Sequence, residues 1–138
     1  MSDVLRIYGA SMTDTIYSID FRDGRGEISW NVTRIMEACR LGRFGSPLDW
    51  VGEMPEIDDR WRENTDIGKI EFFKRRPDIL AIPLIAVQSG KRDDCDLRCF
   101  IDGNHRLIAM TQLGIKTFKF YLVPGEVEKS YRVEFITS

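Results

Sequence analysis

Tyr17, Ile19 and Phe21 alternate with Ser18 and Asp20, a period of two that predicts a strand, and Asp23-Gly24 comes after it as a turn signal. Ile28, Val32, Ile35 and Cys39 then recur at helical spacing, and Gly42 is placed to end that helix in a left-handed conformation. Residues 43–56, "RFGSPLDWVGEMPE", lose both periods and read as an irregular connection. A second helical stretch is expected from Ile57 to Arg76, with Trp61, Thr65, Ile70 and Phe73 on its apolar side and Gly68 weakening it. Pro77 and Pro83 bound the next element.

The pattern sharpens after residue 80. "AIPLIAVQ" is a short apolar, β-branched run and "SGKRDDCD" a charged, hairpin-like connection. "LRCFI" is a second apolar strand. "NHRLIAMTQLG" puts Leu107, Met110 and Leu113 on a helical stripe, with Ala109 beside it and Gly114 closing it. "KTFKFYLV" alternates again, with Phe118, Phe120 and Leu122 on one side. Strand, hairpin, strand, helix, strand is the order of an α/β or α+β domain built on a mixed sheet. With 138 residues, one domain with a real core is expected.

Composition changes this picture little. The chain is 43% hydrophobic and 30% charged, ordinary for a globular protein. No apolar run approaches the ~18 residues of a membrane span, and "MSDVLR" does not open like a signal peptide, so no membrane partner and a cytoplasmic location are expected. Three cysteines (Cys39, Cys95, Cys99) with no Cys-x-x-Cys pair, and a single histidine, argue against structural zinc. Cys99 lies in an apolar run, where buried packing accounts for it. A net charge of −2 gives no general footprint for nucleic acid. The local basic run Lys74, Arg75, Arg76 reads first as a helix C-terminus and second as a phosphate-contacting patch.

The chemistry concentrates in "CFIDGNHRLIAMTQLG". A strand ends at Ile101, Asp102-Gly103 turns the chain, and Asn104 is expected as the N-cap of the next helix. Gly103 permits a tight turn and close approach of a ligand. His105 and Arg106 then occupy the first helical turn, where the dipole disfavours positive charge. A bound anion resolves that conflict, since exposed N–H groups, imidazolium and guanidinium all favour phosphate. Pairing of Arg106 with Asp102, with His105 packed or facing water, resolves it equally well.

"IDGNHRLIAMTQLGIKTFKFYLV", preceded by "IPLIAV", resembles the ParB/sulfiredoxin superfamily over about residues 79–124. That family includes sulfiredoxins, the N-terminal domains of ParB partition proteins, ParB-like nuclease domains and a free serine kinase. The resemblance implies a small mixed sheet with flanking helices, in one domain of residues 1–138. Residues 1–78 would be an N-terminal elaboration on a core at 79–124. It places Gly103, Asn104, His105 and Arg106 on a nucleotide-phosphate turn, with Asp102 at an acidic position of the kinase-like and ParB-like branches. Sulfiredoxins carry a nucleophilic cysteine where Asn104 stands, so reduction of sulfinic acids is not expected. The turn also departs from the Gly-Glu-Arg-Arg of chromosome-partition ParB proteins, and the chain lacks their long DNA-binding helical region.

Two functions remain open. One is an ATP- or CTP-dependent phosphotransferase or hydrolase. In it Arg106 holds phosphate, His105 donates a hydrogen bond or acts as acid, and Asp102 orients a hydroxyl or water or holds Mg²⁺. Glu56, Asp58, Asp59 and Glu63 are candidates for a second carboxylate there, although a solvated helix start explains them too. The other is a non-catalytic nucleotide-sensing or interaction module of a phage, plasmid or mobile element. Nuclease or DNA-binding activity rests on the family alone.

Overall fold

A computed structural model describes residues 5–21, 26–54, 66–92 and 95–137. The fold is α+β, and the described residues form two four-stranded sheets. The first is antiparallel and joins β1 (Leu5–Tyr8), β2 (Ile16–Phe21), β3 (Gly26–Asn31) and β8 (Arg132–Thr137) in the order β1-β8-β3-β2. The second is mixed and joins β4 (Leu48–Asp49), β5 (Leu84–Arg92), β6 (Cys95–Asp102) and β7 (Lys119–Val123) in the order β4-β7-β5-β6. In it β5 and β7 run parallel, with β6 antiparallel to β5 and β4 antiparallel to β7.

Among the described residues the α-helices are α1 (Val32–Arg40), α2 (Ile67–Lys74), the single turn α3 (Pro77–Leu80), α4 (Asn104–Leu113) and the short α5 (Gly125–Glu128). None is long and apolar enough to cross a membrane among the described residues.

Strand β5 explains how the layers assemble. Ile85 and Val87 enter one buried cluster, with Trp30, Ile35, Ile101 and Val123. Leu84 and Ala86 enter the other, with Ile70, Leu107, Met110 and Phe120. Side chains alternate faces with a period of two, so a strand covered on both sides reads as an unbroken apolar run. The mixed sheet is therefore the middle layer. The antiparallel sheet and α1 cover one face, and α2, α3 and α4 cover the other.

Several sequence expectations shift. Ile28 belongs to β3, and the helix starts at Val32, because Asn31 caps it by accepting from the Arg34 N–H at 3.0 Å. Ile28 lies one helical turn before Val32 in the pattern, but a strand face carries it instead. Leu113 is 47% exposed, in a last turn of α4 (residues 111–113) that lies outside the buried cluster. Both strands of the 84–102 hairpin extend into the charged stretch that reads as a connection. The irregular 43–56 segment holds the two-residue strand β4, which pairs with β7 and so carries part of the N-terminal region into the mixed sheet. The expected helix from Ile57 to Arg76 is described only from residue 66, and ends as α2 followed by α3. Trp61, Thr65, Glu56, Asp58, Asp59 and Glu63 lie outside the described residues, as do Asp23-Gly24 and the side chains of Cys95 and Cys99.

One buried polar network ties the antiparallel sheet to the C-terminal segment. Glu128 is 2% exposed; it accepts from the Trp30 indole Nε1 at 2.8 Å and from both Nε and Nη2 of Arg132. A buried carboxylate is tolerated where its oxygens are bonded in this way.

Candidate functional site

The turn from β6 into α4 is set by two features of the chain. Opposite Ile85 and Ala86 the register shifts, so that Asp102 and Phe100 are the paired residues and Ile101 is extra. Such a bulge bends a strand end and re-aims the residues after it. Gly103 then adopts φ +90°, and α4 begins at the next residue. A Cβ built on Gly103 would lie 2.2 Å from Leu84 Cδ2. The close approach that Gly103 permits is therefore made by the core side chain of Leu84.

The N-cap of α4 is Gly103, not Asn104 as the sequence suggests. Asn104 is the first helical residue, and its amide reaches β2 of the antiparallel sheet. Its Nδ2 donates to the Tyr17 hydroxyl at 3.1 Å, with the Phe100 carbonyl further off at 3.5 Å. Glycine has no side chain to accept from the first-turn N–H groups, so α4 lacks a side-chain cap. Helices α1 and α2 both have one, from Asn31 and Asp66. The turn itself, residues 102–105, is half-buried.

Arg106 faces inward. Its side chain is 8% exposed; Nη2 donates to Asp102 Oδ2 at 2.9 Å and Nη1 to the Ile82 carbonyl at 2.7 Å. The pair fastens the start of α4 to the end of β6 and to the loop before β5. Asp102 supplies the negative charge that a guanidinium in a first helical turn needs. Its field also reaches Cys39, whose thiol is pushed up to about 11, first by burial and then by Asp102. That thiol stays protonated at neutral pH and is no nucleophile.

His105 reaches sideways to α2, which packs against α4. The Asp66 backbone N–H donates to His105 Nε2 at 3.4 Å. Burial lowers the His105 pKa below its usual value, Lys69 lowers it further, and Asp66 opposes both. The neutral imidazole is accordingly the major form at pH 7. This contact joins residues 39 apart in sequence, and no local pattern announces it.

Of the five residues singled out at this turn, Asp102 and Arg106 form one unit with each other. Asn104 and His105 are directed to Tyr17 and Asp66. Lys74 and Arg76 of the basic run pair with Glu71 and Asp78, at the end of α2 and the start of α3. No cluster of three or more metal-ligating side chains occurs among the described residues. An open pocket lined by Gly9, Lys129, Arg132 and Glu134 shares no residue with the turn, and its Arg132 is already committed to Glu128. No protein-family model, curated protein or solved structure matches this chain.

Proposed function

We propose that this chain binds the phosphates of a nucleotide, ATP or CTP with Mg²⁺, at the start of α4, and uses it as a phosphotransferase or hydrolase. One observation carries the reading. The first turn of α4 is half-buried, has a glycine in place of a side-chain cap, and succeeds a strand end in a strand–turn–helix–strand unit. Uncapped N–H groups at the positive end of a helix favour an anion. The sequence resemblance supports the same turn and supplies the nucleotide.

In this reading the backbone N–H groups of Asn104, His105 and Arg106 face the phosphate, and His105 lends a hydrogen bond. Arg106 acts from behind the turn: with Asp102 it holds the N–H groups in place. A phosphate close to His105 would favour the imidazolium, so nucleotide binding takes up a proton and strengthens as pH falls from about 8 towards 6.

A second reading, binding without turnover, is favoured by the Asp102–Arg106 pair. Asp102 Oδ2 already accepts from Arg106 Nη2 at 2.9 Å, so that oxygen is engaged in holding the turn rather than presented to water or Mg²⁺. In both readings a panel of nucleoside triphosphates, with and without Mg²⁺, should raise the melting temperature. A ligand at a hundred times its Kd adds about 2.7 kcal/mol. Release of phosphate over hours then separates turnover from binding alone. A panel in which no triphosphate moves the melting temperature contradicts both.

A further inference from the structure

The contact between His105 and Asp66 depends on one proton. An N–H donor needs a lone pair, and Nε2 offers one only when that nitrogen is unprotonated. The link therefore exists in the neutral imidazole with its proton on Nδ1 and is lost in the imidazolium.

The first turn of the helix it holds is lightly anchored. Helix α2 has eight residues; Ile70 is buried and Phe73 packs half-buried against the same cluster, while residues 66–69 are exposed, with Ile67 at 72%. Among the described residues, the start of α2 is also organised by its own cap, the Asp66 carboxylate accepting from the Lys69 N–H at 3.1 Å. Segments with few buried contacts open at low free-energy cost. The charged groups that face His105 among the described residues are Asp66 and Lys69 on α2. On its own turn, Asp102 and Arg106 satisfy each other.

We infer that His105 is a proton-operated latch between α4 and α2: the neutral ring holds the Asp66 N–H, and protonation releases it. The ligand-driven half of this inference rests on the nucleotide reading. A phosphate at the start of α4 stabilises the imidazolium, so binding there unlatches the first turn of α2.

The test monitors the Asp66 amide and the His105 ring by NMR from pH 8 to pH 5. Without ligand, the Asp66 amide should shift with the midpoint of the imidazole, and this inflection should vanish in His105→Gln. Lys69→Met removes a neighbouring cation, so both midpoints should rise together. An Asp66 amide that stays still while the imidazole titrates overturns the latch, as does a Lys69→Met change that moves only one midpoint. Saturating MgATP, with binding measured separately by calorimetry, should raise both midpoints. ATP that binds and leaves them unchanged overturns the coupling to ligand. ATP that does not bind removes the nucleotide reading, while the ligand-free titration still decides the latch.

Discussion

Replacing Gly103 with alanine is expected to destabilise the protein by about 4 kcal/mol. Two costs combine. A φ of +90° is strained for any residue with a Cβ, at about 1–3 kcal/mol. The new methyl would also stand 2.2 Å from Leu84 Cδ2 and 2.9 Å from Cγ. Leu84 is fully buried in the central strand, between Ala86 on its own face and Leu107 and Phe120 in the same cluster, so it has little room to turn away. Overpacking of this kind costs about 1–3 kcal/mol. For a domain whose total stability is about 5–15 kcal/mol, the variant should melt far lower or fail to fold. Urea denaturation measures it, and the double variant Gly103→Ala/Leu84→Ala tells the two costs apart. If the clash is real, the double variant is more stable than the sum of the single effects predicts. A Gly103→Ala protein with wild-type stability contradicts the turn geometry.

Arg106→Ala should cost about 3 kcal/mol of stability, and the loss comes from the partners it abandons. The Ile82 carbonyl loses a donor at 2.7 Å, and Asp102 loses its only ion-pair partner among the described residues. Breaking a buried pair costs about 3–5 kcal/mol. The Asp102 side chain keeps 32% exposure, so water recovers part of that and the lower end applies. Asp102→Asn in the same background removes the stranded charge and should restore a measurable part of the stability. The sequence alone suggests that Arg106→Ala weakens nucleotide binding by about 1.5–3 kcal/mol with the fold intact. The clasp changes that expectation: any affinity loss has to be measured well below the variant's melting temperature, where the turn is still formed. A stability equal to wild type contradicts the clasp.

The Asp102–Arg106 pair was legible because it is local. Four residues separate the two, and a cation in a first helical turn calls for a nearby carboxylate. Strands β5 and β7 were legible for a similar reason, since "IPLIAV" and "KTFKFYLV" carry fully apolar or strong period-two signals. Other features have no local signature. The antiparallel sheet closes when β8 pairs with β1 and β3, across more than a hundred residues, and "YRVEFITS" says nothing of its partners. Ile28 misled because i and i+4 positions satisfy a helix stripe and a strand face alike, so the boundary at Asn31 was decided by capping. Asn104 misled in the opposite sense. Asparagine is a good N-cap in isolation, but the Tyr17 hydroxyl takes its amide and glycine takes the cap. The His105–Asp66 contact depends on how α2 lies against α4, which only the tertiary packing decides.

The central claim is that the first turn of α4 holds a phosphate, and a titration of ¹⁵N-labelled protein with MgATP or MgCTP tests it most directly. The largest changes in amide shift should fall on Asn104, His105 and Arg106, saturate together, and grow stronger from pH 8 to pH 6. Nucleotide that binds while those three amides stay still, or that perturbs Gly9, Lys129 and Arg132 instead, would contradict it.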